Sequence, residues 1–202
     1  MKILAVQNRM GIGDTVIFLP FIETISKKFN APVNLLVKRS SKADQYLSRA
    51  YYLDKIIFLE RDNKKEGRHN GIIGSFRLAQ DLKKYEFDKI FIFNSSLRFN
   101  LVSRLANIKE IYQYPLFTKT NQHIIQPAKD LIKKNLGIDV VKNPQIQISN
   151  NLIKKAIVEY NIDTNEQNIL LGIGGSGPTK RVPSKTFLSV MEKIDNFKKS
   201  KF

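Results

Sequence analysis

Five short apolar runs, separated by longer amphipathic stretches, constrain this chain most. They are KILAVQ (2–7), VNLLVK (33–38), KIIFLE (55–60), KIFIFN (89–94) and NILLGI (168–173). Each is rich in Ile, Leu, Val or Phe without strict alternation, the pattern of strands buried on both faces of a parallel sheet. Between them, apolar residues recur every three or four positions, as Ile17, Phe18, Phe21, Ile22, Ile25 and Phe29 do. That spacing lays one apolar face along a helix. Pro20 falls inside this stretch, so the helix is expected to begin near Leu19 or to bend there. Further helices are expected near 41–49, 73–84, 97–106, 122–136, 150–160 and 184–197. Strand and helix in alternation imply an α/β fold, a Rossmann-like parallel sheet with helices on both faces.

The same pass suggests how the chain divides. Gly137 and Pro144 interrupt GIDVVKNPQIQIS (137–149), which is read as the end of a first domain spanning 1–150. A connector helix follows over 151–165. NILLGI then opens a second sheet, and 166–202 holds one strand, one glycine-rich loop and one helix. So few elements cannot bury a core alone. This part is therefore expected to be an incomplete domain or an appendage.

Composition narrows the chemistry. The 202 residues include no cysteine, which excludes disulfides and thiolate metal sites, and only two histidines, His69 and His123. No metal site is expected. The polar stretch RDNKKEGRHNGI (61–72) reads as a surface loop with His69 solvated. His123 is expected to cap or pack a helix. The first apolar run is too short for a signal peptide, and no later one reaches the ~18 residues of a membrane span. With these features, absence of cysteine fits a cytoplasmic protein. The net charge of +16 favours anionic partners such as phosphorylated substrates or an anionic membrane, or serves solubility alone. Basic and aromatic residues form no recognised nucleic-acid module, so no nucleic acid is expected as partner.

Three loops carry the candidate chemistry. NRMGIGDTVIFLP (8–20) follows the first strand, at the strand end where α/β sheets bind ligands. Gly11 and Gly13 permit close backbone approach, but the spacing is not that of a dinucleotide fingerprint. Asp14 either caps the helix or aims a carboxylate into the cleft as a general base. In FNSSLRFNLVSRLA (93–106), Ser95 and Ser96 can cap a helix whose first turn carries Arg98. A cation is disfavoured there by the helix dipole, which points to an anion nearby or to a merely solvated arginine. In GIGGSGPTKRVPSKTF (172–187), the glycines, the hydroxyls of Ser176 and Thr179, and the charge of Lys180 can cradle phosphate. The spacing is not that of a P-loop, and an ordinary flexible loop is the other reading.

Together these segments resemble the ADP-heptose:lipopolysaccharide heptosyltransferase family, glycosyltransferase family 9. The resemblance rests on Gly13, Asp14 and Pro20 in the opening element, on FDKIFIFNSSLRFNLVSRLA, on HIIQPAKDLIKKNLGI (123–138), and on ILLGIGGSGPTKRVPSKTF with its T-K-R-x-P. It implies the N-terminal half of a glycosyltransferase B arrangement plus the start of the second domain. Implied too is an inverting, metal-independent, cofactor-free enzyme that moves a heptose or related sugar from an ADP-sugar to a lipopolysaccharide core or similar acceptor. Asp14 matches the family's base. Lys180 matches the lysine on the donor phosphates, assisted by Ser176 and Thr179. Gly11, Gly13, Ser96 and Arg98 fall on the acceptor or anion side. The acceptor would be an anionic lipid-linked saccharide, and the enzyme peripheral at the inner face of the inner membrane. Val182 stands where the family has tryptophan, and Gln113 where a glycine is usual. Later donor-domain segments are expected to lie outside these residues, so that this polypeptide alone shows no measurable transfer. A rival expectation is a non-catalytic α/β module binding anionic glycolipid or another polyanion.

Overall fold

The first four apolar runs line up side by side as β1 (Ile3–Val6), β2 (Val33–Lys38), β3 (Leu53–Leu59) and β4 (Lys89–Ile92) of one parallel sheet. The computed structural model describes residues 1–9, 11–61, 67–116, 122–174 and 181–202. A fifth strand, β5 (Glu110–Gln113), completes the order β3-β2-β1-β4-β5. Pairing is in simple register around the centre, with Ile3 opposite both Val33 and Lys89. β5 escaped the sequence reading because EIYQ is a short edge strand with no buried position, hence no apolar run.

Side chains alternate between two buried layers. Ile3, Ala5, Val33, Leu35, Phe91 and Phe93 face α1 (Ile12–Phe29) and α5 (Ile125–Leu136). Leu4, Val6, Leu36, Ile90 and Ile92 face α3 (Gly71–Lys83) and α4 (Leu97–Leu105). A short helix, α2 (Ala43–Tyr46), adds to the first layer. The expected doubly wound α/β architecture is thus observed.

Helix α1 starts at Ile12, which excludes a start near Leu19, and Pro20 lies in its interior. Proline there removes one helical hydrogen bond, at a cost of about 3 kcal/mol. Phe18, Leu19, Phe21, Ile22 and Ile25 are all essentially buried, and their packing outweighs that cost. Near its middle, Glu23 holds the later segment in place. Its carboxylate accepts two bonds from Lys142 Nζ (2.8 and 2.9 Å) and one from the Tyr51 hydroxyl (2.5 Å). Burial alone would raise its pKa, but Lys142, then Tyr51 and Lys27, more than reverse this and bring it to about 2.

The chain falls into two compact units, Met1–Gln147 and Ile148–Phe202. In the second, α6 (Asn150–Glu159) is capped by the Ser149 hydroxyl, which accepts from the Leu152 amide at 3.3 Å. Strand β6 (Gln167–Asn168) pairs in parallel with β7 (Ser200–Lys201), on either side of α7 (Ser184–Phe197) in sequence. The apolar run 168–173 therefore yields far less strand than expected. No residue of α6 or α7 is buried and Leu170 is 98 % exposed, so nothing among the described residues covers the faces a longer strand would present. No helix among the described residues is long and apolar enough to cross a membrane.

Candidate functional site

From β1 the chain moves outward to β3, then returns to β4 on the other side of β1. That reversal opens a crevice at the carboxyl ends of β1 and β4, the usual ligand position in such sheets. Its floor is built from polar residues of the two strand-to-helix loops. Gln7, 1 % exposed, ends the buried run of β1. Its Nε2 donates to the Asp14 carbonyl (2.9 Å) and its Oε1 accepts from the Arg9 amide (2.9 Å), which ties the first turn of α1 to the end of β1. Asn94 Nδ2 donates to Asn8 Oδ1 (3.2 Å), joining the loop after β1 to the loop after β4.

Asp14 is the third residue of α1, and the capping position belongs to Gly11. The capping alternative is therefore set aside. Its carboxylate folds back over the helix start: a Cβ on Gly11 would lie 3.2 Å from Asp14 Oδ2. Gly11 thus leaves the room that this carboxylate occupies. A Cβ on Gly13 would meet nothing within 4 Å, so packing does not demand a glycine there. Among the described residues no hydrogen bond engages the Asp14 carboxylate.

Ser96 is the N-cap residue of α4, but its hydroxyl makes no capping bond. The turn is held instead by Asn94, whose Oδ1 accepts the Ser96 amide (2.9 Å). Gln113 supports it from the neighbouring strand. Its Nε2 donates to the carbonyls of Asn94 (3.1 Å) and Ser96 (2.9 Å), and its Oε1 accepts from Asn100 Nδ2 (2.9 Å). The position noted only for lacking glycine is the buttress of the β4–α4 turn. Beside it lies a cavity of about 370 Å³ whose lining includes Ser95, Tyr114, Asp130 and Lys134.

Arg98 reaches the residues just before α3. Its Nη2 donates to the His69 carbonyl, and its buried Nε has no partner among the described residues. Burial, then the charge of Arg61, lowers its pKa. His69 itself is 4 % exposed, which corrects the solvated reading. Its Nδ1 accepts the Glu60 amide (3.0 Å) and its Nε2 lies 3.2 Å from Asp81 Oδ2. Arg68 pairs with the same carboxylate through two bonds of 2.9 Å and, first among several causes, holds it well below the usual range. His123 sits at the start of α5, its Nδ1 accepting the Ile125 amide at 3.4 Å. Among the described residues no three His, Asp or Glu side chains cluster to hold a metal ion. Ser176, Thr179 and Lys180 lie outside the described residues.

The loops that gather Gly11, Gly13, Asp14 and Ser96 around one crevice belong to a fold already seen in solved enzymes. The chain folds like known glycosyltransferases. A family 9 glycosyl transferase from Veillonella parvula superposes with a TM-score of 0.74 at 16 % identity, over 97 % of this chain and 60 % of that one. Heptosyltransferase II of E. coli, an ADP-heptose LPS enzyme, gives 0.70 at 16 % identity over 98 % and 62 %. The E. coli heptosyltransferase WaaC with ADP gives 0.60 at 15 % identity over 98 % and 65 %. At such identities the likeness is one of fold, and this chain spans less than two thirds of each neighbour. No protein-family model and no curated protein matches the sequence.

Proposed function

We propose that this chain is the acceptor-side domain (1–150), a connector (151–165) and the start of the donor domain (166–202) of an inverting glycosyltransferase. It moves a heptose or related sugar from an ADP-sugar to a lipopolysaccharide core or similar surface-glycan acceptor, without a metal. The observation that carries this reading is the Asp14 carboxylate at the switch-point crevice, folded over Gly11 and without a hydrogen bond among the described residues. The shared fold supports it, as does the ADP held by one of the similar enzymes.

In this reading Asp14 takes the proton of the acceptor hydroxyl while that oxygen attacks the anomeric carbon and the bond to ADP breaks. Its contribution is positional, about 10²- to 10⁴-fold in rate. Lys180 offsets the charge gathering on the departing diphosphate, with Ser176 and Thr179 beside it. Gly11 and Gly13 let the acceptor approach the backbone, and Ser96 and Arg98 serve its anionic groups. The acceptor is lipid-linked, and the protein works in the cytoplasm at the inner membrane face.

The test is titration of ADP and ADP-heptose into the 202-residue chain. Expected is weak binding that Lys180→Ala reduces about 10- to 100-fold, the worth of one charge-assisted contact, and that Asp14→Asn leaves in place. Salt-sensitive binding to any polyanion, indifferent to both substitutions, would instead establish the non-catalytic module.

A further inference from the structure

Helices α3 and α4 pack against each other on one face of the sheet, yet their outer surface is apolar. Ile72 and Phe76 stand one turn apart on α3, and Leu97, Leu101 and Leu105 repeat every fourth residue on α4. Ile72 is 79 % exposed, the neighbouring Ile73 is 69 %, and Phe76, Leu97 and Leu101 are each more than half exposed. These residues are contiguous. Ile72, Phe76, Leu101 and Leu105 wall one cavity of about 350 Å³ with Arg98 among its lining. Arg98 is shared with the adjoining cavity of Leu97 and Arg104. Isolated exposed leucines are ordinary, but a continuous apolar groove marks an interaction surface.

The charges around the groove identify what covers it. Helix α4 carries Arg98 and Arg104 and no acidic residue. Helix α3 carries Arg77 and Lys83, and its one acid, Asp81, is engaged by Arg68, His69 and Lys84. Arg98 Nε–H lacks a partner among the described residues. An apolar groove whose cations Arg98, Arg77 and Arg104 have no acidic partner among the described residues matches the boundary region of an anionic bilayer, where acyl chains meet the apolar side chains and phosphates meet the cations. Leu97 and Arg98 follow directly on Ser96, so this surface adjoins the mouth of the crevice.

We infer that the α3–α4 face is the membrane-docking surface, seating the domain on anionic phospholipid with the crevice beside the lipid headgroups. The inference rests on the transferase reading for its purpose but not for its evidence. The chain has no tryptophan, so a single Phe76→Trp or Leu101→Trp variant is a clean reporter. With phosphatidylcholine vesicles containing phosphatidylglycerol at about one third, its emission should shift to the blue and be quenched by brominated acyl chains. In flotation, Phe76→Glu with Leu101→Glu should lower the partition coefficient about 30-fold, the loss of two partly inserted apolar side chains. Phosphatidylcholine alone should bind about 10²-fold more weakly than the anionic vesicles. Phe76→Ala with Leu101→Ala serves if the glutamates impair folding, which circular dichroism reports. An unshifted tryptophan, or vesicle binding equal in wild type and variants, would overturn the assignment. So would a dimer abolished by the same substitutions, since the groove would then be covered by a second copy. Vesicle binding with no effect of Lys180→Ala on nucleotide would sink the transferase reading and leave the docking surface standing.

Discussion

Replacing Glu23 by glutamine isolates one carboxylate whose charge matters to the fold. Its side chain is only 10 % exposed and is held by Lys142, Tyr51 and Lys27. The carboxyl is brought from 4.5 to about 2. At about 1.4 kcal/mol for each tenfold change in proton affinity, that difference corresponds to roughly 3 kcal/mol. Lys142 and Lys27 are 48 % and 60 % exposed, and solvent around them reduces the figure to about 2 kcal/mol. Because the folded pKa is depressed, this stability is complete above pH about 4.5 and fades as pH falls toward about 2. Urea unfolding of wild type and Glu23→Gln at several pH values is the assay. The two curves should differ by about 2 kcal/mol at pH 7 and converge only as pH falls to about 2 and below. A difference that stays constant with pH would mean that lost packing, not lost charge, sets the effect. Equal stability at pH 7 would refute the clamp altogether.

Three further outcomes follow from the local geometry. Gly74→Ala should cost more than ~2 kcal/mol in thermal unfolding, since its Cβ would sit 2.2 Å from the His69 carbonyl carbon. Gly13→Ala should be neutral or stabilise by up to ~1 kcal/mol, because space is open there; loss of acceptor binding at unchanged stability would then mark Gly13 as a ligand contact. Gln113→Gly should cost about 2 kcal/mol through loss of its bonds to the β4–α4 turn, and melting temperature with hydrogen exchange of the Ser96–Phe99 amides would show it.

Much of the fold was legible because its cause is local. Apolar runs such as ILAV and KIFI must be covered on both faces, and the amphipathic stretches between them supply the cover. That argument found β1 to β4, most helices and the loops that carry Gly11, Gly13, Asp14 and Ser96. It left the place of Pro20 open, because the burial of Phe18, Leu19, Phe21 and Ile22 that overrides proline's local preference is a property of the assembled core. It could not see β5, whose edge position asks for no apolar run.

The site divides in the same way. Residue types and spacing alone placed a carboxylate and two glycines behind the first strand. Only the order β3-β2-β1-β4-β5 brings that loop against the one after β4, so that Asn8 and Asn94 meet although 86 residues separate them. Gln7 as a loop clamp, Gln113 as a turn buttress and buried His69 are likewise products of packing. A polar side chain's partners lie wherever the sheet carries them, and hydrophobic periodicity encodes which face is buried but not which polar groups meet there.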